Sequence, residues 1–185
     1  MEKRLVEVLD ENLQVLAQED QAVVHAKGLL HQAARALLIN SSQKILLVKR
    51  KRNDWLPLGH LDMTISTDIF VGETAEEAIL REFLSSFGLA FKALPLVCLG
   101  QVAEYKVFKK NKEIDNTLSQ VFLIKKDVKA AAIHLNSETI EALLWLDYTE
   151  FVKKFFTIDY GGLNLANRKR VYYEIFQALG IPALE

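Results

Sequence analysis

The segment from Gly72 to Gly88 constrains this chain more than any other, because it specifies a helix at both ends and along one face. Thr74 is a favourable N-cap, and Glu77 three residues later completes a capping box that satisfies two otherwise unpaired backbone donors. Ala75, Ile79, Phe83 and Phe87 recur every four residues and form one apolar stripe that needs a partner surface. Gly88 follows, where a left-handed residue ends a helix at least cost. A helix is therefore predicted from Glu73 to about Phe87, buried along its stripe. Ser85 and Ser86 read as part of its polar side.

Short strands surround that helix. Arg4–Leu9 and Leu13–Leu16 flank Asp10-Glu11-Asn12 and read as a hairpin, and Asp20 caps a short helix that stops at Gly28. His31–Ile39 and Lys44–Arg50 are strong strands joined by Asn40-Ser41-Ser42. The stretch Asn53–Gly72 holds Pro57 and Gly59 without a clear period, so a long loop with short strand pieces is expected. Strands follow at Leu96–Phe108 and Leu118–Lys125, separated by the polar stretch Lys109–Asn116. A further strand is expected at Ala142–Leu146, a helix at Asp147–Phe156 and a closing helix at Leu163–Leu179. This order suits an α/β fold with a mixed sheet and helices packed on it.

No repeat, low-complexity tract or linker divides the 185 residues, which are enough for one domain with a substantial core. Lys and Arg total 23 against 24 Asp and Glu, a balance that argues against a broad nucleic-acid or membrane-surface binder. No stretch approaches the apolar length of a membrane span and no signal-peptide core stands at the N-terminus, so a cytoplasmic location is expected. Cys98 lies in the apolar run Leu94–Leu99 and reads as a small buried hydrophobe. Oligomeric state is left open.

The stretch Thr67–Leu89 resembles the Nudix box, G-x5-E-x7-R-E-U-x-E-E-x-G-U, where U is a bulky apolar residue. Glu73, Arg81, Glu82, Phe83, Gly88 and Leu89 match at the right spacings, six of the nine defining positions. Thr67 replaces the opening glycine, and Ser85 and Ser86 replace the paired glutamates. The flanks extend the likeness toward the branch of the superfamily related to isopentenyl-diphosphate isomerase. They include the turn Val8-Leu9-Asp10-Glu11, the spacing of His25 and His31, the loop Leu56-Pro57 through Leu61-Asp62-Met63-Thr64, and Glu141 to Asp147. The resemblance implies the Nudix fold, a mixed β-sheet sandwiched between helices. It places an N-terminal hairpin and short helix in residues 1–30, the box in 67–89 and the C-terminal helix in 163–179 of a single domain, 1–185.

As the resemblance implies, such a protein hydrolyses a nucleoside diphosphate linked to another group, using Mg²⁺ or Mn²⁺. A hard divalent ion needs oxygen ligands, and carboxylates at i, i+3 and i+4 of one helix can supply them. Here those positions are Glu82, Ser85 and Ser86, so Glu82 is the one candidate metal carboxylate left in the box. Two unit charges about 4 Å apart interact by roughly 4 kcal/mol at an effective dielectric of 20, so losing two carboxylates should weaken the site by orders of magnitude. Glu73 and Arg81, catalytic-box residues in the family, are expected to pair and tie the loop to the helix.

Other candidates lie outside the box. The run Lys49-Arg50-Lys51-Arg52 ends a strand, where basic residues in the family meet substrate phosphates, and Arg50 or Arg52 is the expected phosphate-facing member. His31 is a further candidate on the substrate side. The isomerase-like branch also places a cysteine and a histidine where this chain has Ser66 and Asp68, and a glutamate pair where it has Asp115 and Thr117. Whether His25, His31, Asp68 and Asp115 rebuild a metal site depends on geometry. His60 is in the nearby loop. Trp55 and Phe70 can stack on a base or fill the core, and Asn167-Arg168-Lys169-Arg170 reads as a solvated helix face.

Two functions stay open. One is a Nudix-type hydrolase of a small-molecule diphosphate with weakened or lost metal-dependent activity. The other is a non-catalytic domain that binds a nucleotide-like ligand or a protein partner. Isomerisation of a prenyl diphosphate is disfavoured, because the hydroxyl of Ser66 is no ready substitute for a thiol.

Overall fold

The computed structural model describes residues 4–51, 61–108, 113–157 and 169–180. Among these, nine strands form one mixed sheet: β1 (Leu5–Leu9), β2 (Val15–Asp20), β3 (His31–Ile39), β4 (Lys44–Arg50), β5 (Leu61–Asp62), β6 (Ile65–Asp68), β7 (Leu96–Phe108), β8 (Glu113–Lys125) and β9 (Ile140–Asp147). The helices are α1 (Gln21–Lys27), α2 (Ala75–Phe87), α3 (Tyr148–Phe155) and α4 (Lys169–Ala178). Arg52, Trp55 and His60 lie outside the described residues, as do 163–168 of the expected closing helix and 109–112 of the polar stretch.

Strand β3 organises the sheet. One edge runs parallel to β8 along its whole length, from His31↔Thr117 to Ile39↔Lys125. Its other edge is shared by β1 at His31, β6 at Ala33–Ala36 and β4 at Leu38–Ile39, all antiparallel. A strand covered on both faces needs apolar residues at nearly every position, and β3 from Ala33 to Ile39 is buried throughout.

Alternation sorts the core into two layers. Leu37, Ile45, Leu47, Val121 and Leu123 point to one side, where they meet Phe151 and Phe155 of α3 and Tyr172 and Phe176 of α4. Ala34, Ala36, Leu38, Leu46 and Phe122 point to the other, against Ala75, Ile79, Phe83 and Phe87 of α2. The sheet is thus sandwiched between helices. Helix α2 has the capping box of Thr74 and Glu77 and ends at Gly88, whose φ is 65°. A Cβ at Gly88 would stand 3.0 Å from that of His134.

Several local expectations change. The second hairpin strand begins later and reaches Asp20, because pairing with β1 carries it through the polar Gln18 and Glu19. Strand β8 begins at Glu113, since β7 pairs with it as far as Phe108↔Glu113 and cross-strand bonding overrides the polar sequence. Cys98 is exposed, not buried. It lies on β7, which pairs only with β8 among the described strands, beside a register shift at Gly100. Ser86 is buried, at 4% exposure, while Ser85 is exposed.

Candidate functional site

The retained half of the box forms a tight tie. Arg81 donates from Nε to Glu73 Oε1 at 2.6 Å and from Nη2 to Oε2 at 3.0 Å. Glu73 Oε2 also accepts the backbone N–H of Phe70 at 3.0 Å, and the Arg81 guanidinium stands 4.0 Å over the Phe70 ring. Phe70 itself packs against Val6, Val8 and Val24. Arg81 further reaches the main-chain oxygen of Asp68 at 2.8 Å and the Thr67 hydroxyl at 3.4 Å. The two residues therefore hold strand β6 to helix α2.

Glu82 is placed differently. Its Oε1 accepts from the Ser86 hydroxyl and its Oε2 from the Ser85 hydroxyl at 3.2 Å. The Arg50 guanidinium lies 3.9 Å from Oε1. Lys49 points elsewhere, to Glu141 at 2.6 Å, as the two-residue period of β4 requires. One carboxylate with both oxygens engaged and a guanidinium close by does not fit the shell of a strongly hydrated Mg²⁺. The structure thus brings Arg50 to Glu82.

His31 and Asp68 do converge, in a second place. On one side of the β3 register lie His31, Asp68 of β6 and Asp115 of β8, and α1 adds His25. His25 Nε2 is 2.8 Å from Asp68 Oδ2, which also accepts from Gln21 Nε2 at 2.7 Å. His31 Nε2 is 3.4 Å from Asp68 Oδ1. The two rings meet edge to face at 4.9 Å. One ligand atom each of His25, His31 and Asp115 lies within 4.8 Å of the others, and all three residues are buried.

One buried atom of this cluster has its polar capacity unused. Asp115 Oδ1 is buried without a hydrogen-bond partner among the described residues, an arrangement that costs free energy unless something fills it. His31 Nδ1 faces the carbonyl of Leu29 at 3.0 Å, an acceptor only, so Nδ1 carries the proton and Nε2 faces the cluster. Ligands of a single ion stand at most about 4.2 Å apart, so closure asks little movement of these side chains. Two imidazoles and the Asp115 carboxylate, with Asp68 bound to both imidazoles, suit Mn²⁺, Fe²⁺ or Zn²⁺ better than Mg²⁺.

The electrostatics agree with a shared proton or cation. Burial disfavours charge on His31, but the hydrogen bond and charge of Asp68, with the Leu29 carbonyl and Asp115, outweigh it and hold its pKa above the ordinary value. Burial likewise pushes the Asp68 carboxyl up, yet hydrogen bonds and charge from His25 and His31 bring it well below the usual carboxylate range.

Sequence reasoning missed Arg35 and Glu104. Arg35 is 2% exposed and donates from Nε to Glu104 Oε2 at 3.1 Å, with Nη2 3.7 Å from Asp115 Oδ2. Ser119 adds a hydroxyl to Glu104 Oε2 at 3.0 Å, and Lys106 reaches Oε1 at 3.1 Å. A signal was present: an arginine inside the apolar strand His31–Ile39 must find buried acids.

The layered sheet and the box helix define a Nudix-type α/β protein. The family model for the NUDIX domain matches residues 29–163, and the chain belongs to this family. It is 25% identical over 121 residues to an isopentenyl-diphosphate Delta-isomerase of Haloarcula marismortui, a match that spans 65% of this chain and 64% of the isomerase, under two thirds of its length. The crystal structure of DR0079 from Deinococcus radiodurans is similar at a TM-score of 0.66 and 18% identity, covering 92% of this chain and 97% of that one. The NUDIX domain of Shewanella oneidensis NrtR, solved with ADP ribose, is similar at a TM-score of 0.55 and 16% identity, over 87% and 99% of the two chains. At these identities the two structures share the fold. Among the described residues, no helix is long and apolar enough to cross a membrane.

Proposed function

We propose that this protein acts on a small molecule bearing a diphosphate, nucleoside-linked or related, with hydrolysis through the Nudix helix weakened or lost. A divalent ion, Mn²⁺ in preference to Mg²⁺, is held by His25, His31 and Asp115, with Asp68 orienting the two imidazoles. Residues 1–185 working as one domain in the cytoplasm belong to the same reading. The convergence of those three side chains, with Asp68 on both imidazoles, carries it, supported by the engaged oxygens of Glu82. An ion there would polarise a phosphoryl oxygen and offset charge on a leaving phosphate. Arg50, 3.9 Å from Glu82, is the residue proposed to meet the substrate's phosphate, with Arg52 as the alternative from the same run. Glu73 and Arg81 position the end of strand β6 that bears Asp68.

A second reading, binding without catalysis, is favoured by Glu82 alone, because its carboxylate is satisfied by Ser85 and Ser86 with no ion. A diphosphate panel that includes ADP-ribose and isopentenyl diphosphate, run with Mg²⁺ and with Mn²⁺, separates the two. The proposal expects turnover that requires Mn²⁺ and disappears in Asp115→Asn and His31→Gln. Binding without turnover under both ions selects the second reading. Turnover with Mg²⁺ that vanishes in Glu82→Gln and survives the cluster variants would falsify the proposed ion site.

A further inference from the structure

Arg35 is buried on β3, four residues after His31. An arginine keeps its charge inside a protein, so such a residue needs acids and acceptors around it. Glu104 accepts from its Nε at 3.1 Å, and Glu104 is itself held by the Ser119 hydroxyl and by Lys106. Nη1 donates to the main-chain oxygen of Thr67 at 3.2 Å, and Nη2 lies 3.7 Å from Asp115 Oδ2. In the sheet register Arg35 pairs with Val121, whereas Glu104 pairs with Thr117, the partner of His31. The side chain thus reaches back along β3 toward His31. One guanidinium joins β3, β6, β7 and β8.

Two of these contacts bear on the ion site at His25, His31 and Asp115. Thr67 precedes Asp68 on β6, so Arg35 grips the backbone beside the carboxylate that lies on both imidazoles. The two oxygens of Asp115 have different surroundings. Oδ2 faces Arg35, while Oδ1 is buried without a hydrogen-bond partner among the described residues. A carboxylate drawn to a fixed cation through one oxygen is restrained in rotation, and its other oxygen stays available for an ion. Arg35 has no lone pair to give a metal, and its charge alone would repel one. Glu104, at 3.1 Å, offsets that repulsion. Orientation is what remains.

We propose that Arg35 is a positioning residue of this ion site, with Glu104 as the carboxylate that holds its guanidinium in place. The proposal rests on the reading that a divalent ion binds there, and adds that residues outside the ligand set govern how tightly. Groups that orient the ligands of a metal commonly account for about ten- to hundredfold in its affinity. The competing account is that Arg35 only ties strands together. That account predicts lower stability in Arg35 variants but unchanged metal affinity in the molecules that fold.

Calorimetric titration of the whole chain with Mn²⁺ tests it, with the folded fraction of each variant measured in chelator. Arg35→Lys keeps the charge but loses the planar fork, so Mn²⁺ affinity should fall by about tenfold or more. Arg35→Met with Glu104→Met removes one positive and one negative charge together, leaving the local net charge as it was. The same fall there reports lost orientation and not an altered field. Glu104→Gln keeps an acceptor for Nε, should give a smaller fall in the same direction, and serves if the double variant does not fold. Wild-type Mn²⁺ affinity in the folded variants overturns the proposal. A higher affinity in the double variant overturns it too, since the guanidinium would then repel the ion more than it orients Asp115. If wild type binds no Mn²⁺, the ion site falls and the proposal with it. If binding disappears in Asp115→Asn but is untouched in every Arg35 and Glu104 variant, the site stands and the proposal alone falls.

Discussion

Arg81 Nη2 donates to the main-chain oxygen of Asp68 at 2.8 Å, while the carboxylate of the same Asp68 lies between His25 and His31. The intact half of the Nudix box and the histidine cluster are thereby joined through one residue. Glu73 holds Arg81 from the other side, so the chain of contacts runs from the loop before α2 to a buried ligand group. This gives a physical role to box residues that have lost their acidic neighbours.

Breaking that tie should be felt in both places. Arg81→Ala removes a bidentate pair and three further contacts from a partly buried position, and should cost about 1–3 kcal/mol in denaturant unfolding. Because Asp68 then loses its backbone anchor, Mn²⁺ affinity should fall as well, and Arg81→Lys should restore only part of it. A stability loss with unchanged Mn²⁺ affinity would mean that the box and the cluster are mechanically independent.

Restoring glutamates to the box should separate the two serines. Ser85 is exposed, so Ser85→Glu should change stability by less than about 0.5 kcal/mol. Ser86 is buried and bonded to Glu82, so Ser86→Glu places a second carboxylate in poor solvent beside the first, costing about 1–3 kcal/mol. Mg²⁺ should recover part of that loss by binding the folded state. Thermal melts with and without Mg²⁺ decide it, and equal effects at the two positions would contradict the burial of Ser86.

The pH dependence of the metal-free protein follows from the cluster. His31 has a folded pKa above its ordinary 6.5, so its contribution is fully present below that value and lost as pH rises through the raised one. Asp68 is depressed well below 3.8, so its contribution is present above 3.8 and lost only as acid takes pH down through the folded value. Unfolding free energy in chelator should therefore decline as pH rises above 6.5 toward and through the raised value, and the decline should flatten in His31→Gln. A slope that His31→Gln leaves untouched assigns the titration to another group.

Two neighbouring residues of α2 should differ sharply. Phe83 has no exposed surface and meets Phe87 and Phe91 with ring centroids 5.5 Å away, so Phe83→Ala should cost about 3–5 kcal/mol. Leu84 is 54% exposed on the same helix, so Leu84→Ala should cost less than about 0.5 kcal/mol. Denaturation midpoints for the pair measure the contrast, and similar losses would place the wrong face of α2 on the sheet.

The sequence by itself determined the elements whose causes are local. Thr74, Glu77 and Gly88 bound α2, Asp20 and Gly28 bound α1, and apolar-rich runs mark β3 and β4. The Glu73–Arg81 pair was legible too, because it sits within one motif. Only the tertiary structure decided what faces what. Ser86 follows the polar pattern of its helix, yet it is buried where a distant segment meets the end of α2, the Asn136 N–H donating to the Ser86 carbonyl at 2.9 Å. Cys98 follows an apolar run, yet the edge position of β7 leaves it exposed. His25, His31, Asp68 and Asp115 come from a helix and three strands, and no spacing among them has a period. They meet because the parallel register of β3 with β8 and the antiparallel register of β3 with β6 set them on one side of the sheet. Register is a property of pairs of distant strands, settled by which apolar faces can be buried together.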